Sequence, residues 1–147
     1  INIENRNGTT PLFIALLNSN LKVIKYLLEH GADVNMKNKY GETALFITCK
    51  NKNISIPFTK YLIELGADVN IRNYTGDTPL IAACQEGNKK VIKYLIKQGA
   101  EINVINDHGD SPLLIASKNK NEYIIDYLMK HGANVNIKGD SGNTLLI

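Results

Sequence analysis

The sequence predicts an all-α solenoid: stacked helix-turn-helix units joined by extended, hairpin-like turns. Three observations predict it. Gly-Ala recurs at Gly31-Ala32, Gly66-Ala67, Gly99-Ala100 and Gly132-Ala133, at intervals of 35, 33 and 33 residues. Gly-x-Thr or Gly-x-Ser recurs from Gly8, Gly41, Gly76, Gly109 and Gly142, at intervals of 33, 35, 33 and 33. Within each period apolar residues fall at helical spacing, as in Val23, Ile24, Leu27 and Leu28. A fixed period of this length marks an array in which each unit buries its apolar face on its neighbours.

Each element has a local reason. Thr10-Pro11, Thr78-Pro79 and Ser111-Pro112 start the first helix of their units. The hydroxyl caps free N–H groups, and proline at the first helical position lacks an N–H that would be orphaned there. The first unit is expected to pair Pro11–Asn18 with Leu21–His30, and later units repeat these offsets. The breaks between helices are Asn18-Ser19-Asn20, Gly87-Asn88 and Asn119-Lys120-Asn121. Gly31 and its equivalents stand where a left-handed helix terminus is expected. Both marker series gain two residues between Leu45 and Gly66, so the second unit should bulge at Asn51–Ser55, before Pro57.

The units run at about 5–37, 38–72, 73–105 and 106–138, with partial units at 1–4 and 139–147, all in one domain spanning 1–147. Ile1-Asn2-Ile3 aligns with Val69-Asn70-Ile71, the tail of a unit, and Thr144–Ile147 begins another helix. Arrays protect their terminal units with polar caps. Ends of this kind are expected of a piece of a longer array, with self-association through apolar ends such as Leu145–Ile147. Predicted core columns are Leu12, Leu45, Leu80 and Leu113; Leu27, Leu62, Leu95 and Leu128; and Ala32, Ala67, Ala100 and Ala133.

Composition narrows the function classes. Asn, Ile and Lys number 19, 19 and 15, all with A/T-rich codons, which points to an AT-rich genome. A hydrophobic fraction of 44% is too high for a disordered chain. The longest apolar run, Leu12–Leu17, is far below the ~20 residues of a membrane span. Cys49 and Cys84 hold equivalent places in adjacent units and read as buried reduced thiols; stacked helices lie roughly 8–10 Å apart, beyond disulfide reach. His30 and His131 are equivalent residues at helix C-termini, where a cation is favoured. No zinc ligand spacing, phosphate loop or nucleophile–base pair is present, so no cofactor, metal, small-molecule substrate or catalytic residue is expected. The second helices carry Lys22, Lys25, Lys89, Lys90, Lys93 and Lys97, interrupted by Glu29, Glu64, Glu122 and Asp126, and no interleaved Tyr or Phe stacking groups are expected with them. This reads as a solvated outer face, with weak phosphate or nucleic-acid binding as the alternative. Asn35, Asn70, Asn103 and Asn136 are expected to bond locally in the turns.

The 33-residue period, the Gly-x-Thr-Pro-Leu motif and Gly-Ala-Asp-Val-Asn together resemble the ankyrin repeat family over the whole chain. Three departures stand out: Phe13, Phe46, Ile81, Leu114 and Ile147 replace the usual His after the Leu, Ala44 replaces Pro in the second unit, and Leu145 does so in the last. The replaced His normally helps tie neighbouring turns. The resemblance implies a non-catalytic, intracellular, cytoplasmic protein-binding module acting through a concave groove lined by turn tips and first helices; the alternative is an effector or scaffold segment of a larger multidomain protein. It also implies that the recurrent asparagines can be hydroxylation substrates.

Carried onto this chain, the groove positions are Arg6, Asn7, Thr9, Leu17 and Asn18 in unit one, and Lys37, Lys39, Tyr40, Glu42, Lys50 and Asn51 in unit two. Unit three offers Arg72, Tyr74, Thr75, Asp77, Gln85 and Glu86; unit four offers Ile105, Asp107, His108, Asp110, Lys118 and Asn119. Tyr40, Tyr74, Ile105 and His108 are expected to form a central patch of the kind enriched at hot spots. Lys37, Lys39, Lys50 and Arg72 toward the N-terminus, against Asp77, Glu86, Asp107, Asp110 and Asp140, predict a bipolar groove.

Overall fold

The computed structural model describes residues 1–136. Within them lie eight helices and no strand: α1 Pro11–Leu17, α2 Leu21–Glu29, α3 Ala44–Cys49, α4 Ile56–Glu64, α5 Pro79–Glu86, α6 Lys89–Lys97, α7 Pro112–Lys118 and α8 Glu122–Lys130. The odd-numbered helices stack in one layer, α1 on α3 on α5 on α7, and each packs against the following even-numbered helix. The fold is the all-α solenoid that the repeat period predicts. The expected last partial unit, with Asp140 and Leu145–Ile147, falls outside the described residues.

The caps act as their chemistry requires. The side chains of Thr10, Thr43, Thr78 and Ser111 accept from the backbone N–H of Phe13, Phe46, Ile81 and Leu114 at 3.4, 3.3, 3.3 and 3.1 Å. Thr43 does so without a following proline. Asn20, Asn88 and Asn121 cap α2, α6 and α8 in the same way. Ser55 makes no such bond; in this unit the insertion Asn51–Ser55 forms the turn and Pro57 sits in the first turn of α4. Second helices end in paired backbone bonds: Ala32 N–H to Leu27 O at 2.9 Å and Gly31 N–H to Leu28 O at 3.3 Å, with Gly31 at φ +96°. That left-handed geometry suits glycine because it has no Cβ.

The core follows the predicted columns with two corrections, one near each end of the stack. Leu12, Leu45, Leu80 and Leu113 are buried, as are Leu62, Leu95 and Leu128, but Leu27 is only partly buried. Val23 is 41% exposed, whereas its equivalents Phe58, Val91 and Ile124 are buried. The reason is stacking: the face of α1 and α2 on which a preceding unit would sit is uncovered, leaving Ile14, Val23 and Leu27 around an apolar depression. In the last Ala column, Ala32, Ala67 and Ala100 are buried and Ala133 is partly buried. Phe13, Phe46 and Ile81, standing where the family usually has His, are buried in the core.

Candidate functional site

The turn tips are built around a column of asparagines that the sequence reading passed over. Asn38 Oδ1 accepts from the N–H groups of Tyr40 and Glu42 at 2.9 and 3.0 Å, and Asn5, Asn73 and Asn106 repeat this arrangement. Three residues before each turn glycine, their spacing was a readable signal. Successive tips are joined directly, Tyr74 N–H donating to Tyr40 O at 3.1 Å and Asp107 N–H to Thr75 O at 3.0 Å. Asn106 Nδ2 donates to Asp77 Oδ1 at 2.6 Å. These bonds tie the turns where the usual His is missing. Gly41 is confined twice over: its φ is +76°, and a Cβ there would lie 2.7 Å from the Tyr74 backbone nitrogen.

A second asparagine column corrects the expectation of local bonding. Asn35 Nδ2 donates to Gly66 O at 2.9 Å, and its Oδ1 accepts from Asp68 N–H at 2.8 Å, one unit onward. Asn2, Asn70 and Asn103 make the same pair of bonds to the next unit. The bond from the asparagine's own backbone N–H to the side chain of Asp33, Asp68 or Asn134 stays inside the turn. The side chains are therefore staples between units.

Above this scaffold, the tips and first helices enclose two adjoining grooves. One of ≈ 580 Å³ lies between units one and two, lined by Phe13, Leu17, Lys39, Tyr40, Ile47 and Lys50 among others. The next, of ≈ 470 Å³, runs between units two and three past Tyr40, Phe46, Tyr74, Thr75, Asp77 and Gln85. Leu17, Tyr40 and Tyr74 are 76%, 58% and 66% exposed. Phe13, Phe46 and Ile47 belong to the lining and are not among the predicted groove residues, because their helical spacing marks them equally as core.

The structure brings some expected site residues together and separates others. Tyr40 and Tyr74 share a groove, with Lys39 Nζ 5.0 Å from the Tyr40 ring centre and Lys37 Nζ 5.8 Å from that of Tyr74. Lys37 also donates to Arg72 O at 2.9 Å, and Arg72 to Ile105 O at 3.1 Å, so each reaches its equivalent in the next unit. Ile105 lies with Arg72, Glu101 and Ile102 in a separate depression. Glu42 is buried: its carboxylate accepts from Lys50 at 2.6 Å and Asn38 at 3.1 Å. Asp110 pairs with Lys118 at the equivalent place in unit four. Asp77 is half-buried and accepts from Asn106 and Thr75. Glu86 is half-buried at the end of α5, while Asp107 and His108 are exposed at a tip. Among the predicted groove residues of units two to four, the charge left without an ionic or hydrogen-bonded side-chain partner among the described residues thus rests on Lys37, Lys39 and Arg72 at one end and on Glu86 and Asp107 at the other.

Cys49 and Cys84 are free and buried, and burial pushes both thiols up to about 12. His30 and His131 each place Nδ1 against the carbonyl four residues back, at 2.7 and 2.8 Å, and stack on Tyr26 and Tyr127. A carbonyl only accepts, so Nδ1 carries the proton. The described residues hold no group of three or more His, Cys, Asp or Glu able to take a metal, and no helix long and apolar enough to cross a membrane.

Stacked helix pairs, glycine-ended second helices and linked turn tips define a helical repeat solenoid. The ankyrin repeat family profile matches residues 1–73, 31–106 and 49–139, and the chain belongs to that family. Members are generally non-catalytic protein–protein interaction modules. A 35-residue stretch is 51% identical to an ankyrin repeat protein of Fowlpox virus (strain NVSL), covering 24% of this chain and 13% of that protein. Another match of 35 residues is 49% identical to Alpha-latrotoxin-Lt1a of Latrodectus tredecimguttatus, again 24% of this chain but 2% of the toxin. The chain therefore matches a small part of each relative.

Proposed function

We propose that the chain binds a protein partner through the grooves beneath the turn tips of units one to three. The observation that carries this is the adjacent pair Tyr40 and Tyr74, two large exposed rings fixed on tips that are bonded to each other. Large aromatics held on a preorganised backbone are frequent anchors of an interface. Lys37, Lys39 and Arg72 favour acidic groups on the partner near units one and two; Asp107 favours a basic group toward unit four. Glu42 and Asp77 shape the groove walls through their internal bonds, and Glu86, Ile105, His108 and Asp110 would extend the contact surface toward unit four. A reducing compartment such as the cytoplasm suits the two free buried thiols.

The test is capture from a lysate with the wild type and with Tyr40→Ala/Tyr74→Ala side by side. A partner retained by the wild type should bind the variant weaker by more than about 2 kcal/mol, the hot-spot scale, with an unchanged melting curve. A partner held equally by both proteins assigns binding elsewhere.

A further inference from the structure

The opposite face, formed by the second helices, carries a pattern that the concave groove does not use. Lys25, Lys60 and Lys93 hold one position in successive helices, and the tyrosines that follow that position, Tyr26, Tyr61, Tyr94 and Tyr127, run beside them. This corrects the reading of an outer face without interleaved aromatics. Each ammonium rests against a ring of the next unit: Lys25 Nζ 5.4 Å from the Tyr61 centre, Lys60 5.2 Å from Tyr94, and Lys93 5.6 Å from Tyr127. Lys89 and Lys93 also sit 4.4 and 5.1 Å from Tyr123. Between α4, α6 and α8 the stripe opens into a groove of ≈ 580 Å³. Lys60, Lys90, Lys93 and Lys97 rim it and Tyr94 and Tyr127 wall it; among the described residues no carboxylate lines it. The nearby Asp126 is paired with Lys130 at 2.8 Å.

We propose that this convex-face groove is a second binding site, for an acidic peptide segment that carries an apolar side chain between its carboxylates. Four lysines without a lining carboxylate demand anionic groups, and the apolar walls demand a hydrophobic insert. Of the four, Lys60 and Lys93 are held over rings, so these two lose less side-chain freedom when a carboxylate arrives. Single-stranded nucleic acid fits less well. Its bases need bare ring faces to stack on, and here the faces of Tyr61, Tyr94 and Tyr127 lie under ammonium groups. Carboxylates need only the ammoniums, and Lys60, Lys90, Lys93 and Lys97 are all exposed.

Fluorescence anisotropy with the whole chain tests this. The probe is a fluorescein-labelled peptide of repeated Asp-Glu-Phe-Glu; the controls are the same peptide with Ser for Phe, and labelled oligothymidylate. The acidic Phe peptide should bind, and the Ser control should bind about fivefold more weakly. Lys93→Gln/Lys97→Gln, and separately Lys60→Gln/Lys90→Gln, should each weaken it about tenfold. Lys37→Gln/Lys39→Gln and Tyr40→Ala/Tyr74→Ala should leave it unchanged, with melting curves confirming that every variant folds. Absence of binding, equal loss in the Lys37/Lys39 variant, equal affinity of the Ser control, or tighter binding of oligothymidylate would each overturn the proposal.

Discussion

Asn70→Ala removes one rung of the staple between units while leaving the turn that carries it intact. The side chain donates to Gly99 O at 3.1 Å and accepts from Glu101 N–H at 2.8 Å. Its own N–H remains bonded to Asp68 Oδ1 at 2.9 Å. A neutral hydrogen bond contributes about 0.5–1.5 kcal/mol net, and water reaches this exposed site to replace part of what is lost, so the expected cost is about 1–2 kcal/mol. In urea, with a slope of about 2 kcal/mol/M, the unfolding midpoint followed by far-UV circular dichroism should fall by about 0.5–1 M. Asn70→Asp should recover nothing: it keeps the acceptor but sets a carboxylate oxygen against the Gly99 carbonyl. Asn2→Ala loses the same two bonds, at 3.3 and 2.8 Å. No described helix pair stands behind that rung, so in this chain its midpoint should move by less than about 0.2 M, because a repeat array is stabilised through unit-to-unit interfaces. An unchanged midpoint for Asn70→Ala, or equal shifts for the two variants, would refute the staple.

Three further outcomes follow from the same structure. Leu62→Ala, at a fully buried site, should cost about 2–5 kcal/mol, and Leu27→Ala, at the partly covered equivalent, less than half as much in the same urea titration. Gly41→Ala should destabilise by at least about 2 kcal/mol, since it adds a backbone collision to an unfavourable φ, whereas Gly31→Ala, where a Cβ meets nothing within 4 Å, should cost about 1 kcal/mol; equal losses would show that the tip contact is soft. The buried thiols titrate near 12 instead of 9.0. The unfolded chain therefore loses these protons first, so their contribution to stability is intact below about pH 9 and declines as pH rises toward 12. Unfolding at about pH 8 and pH 10 should show a smaller alkaline loss in Cys49→Ala/Cys84→Ala than in wild type, and the native thiols should resist Ellman's reagent until urea unfolds the chain.

The sequence by itself determined the unit length, the place of the insertion, the ends of the helices and the principal core columns. These depend on contacts within a few residues. Thr10 bonds to the N–H three residues on, and Gly31 closes the helix that precedes it. Leu62 faces inward because of helical spacing alone. Tertiary stacking decided the rest. Leu27 and Leu62 hold the same place in their units, yet among the described residues only the second has helix pairs packed on both sides. Local bonding is what its turn position predicts for Asn35, but the stacking of units brings Gly66 O and Asp68 N–H within hydrogen-bond distance of its amide. Glu42 belonged, by position, among the surface contacts; the turn folds it onto Lys50 and Asn38 instead. Lysine and tyrosine on the outer face interleave because each ammonium meets a ring one unit away, a distance along the chain that no helical period reads. Local chemistry sets what each unit is; the rise and rotation between units set which side chains meet, and these belong to the assembled stack.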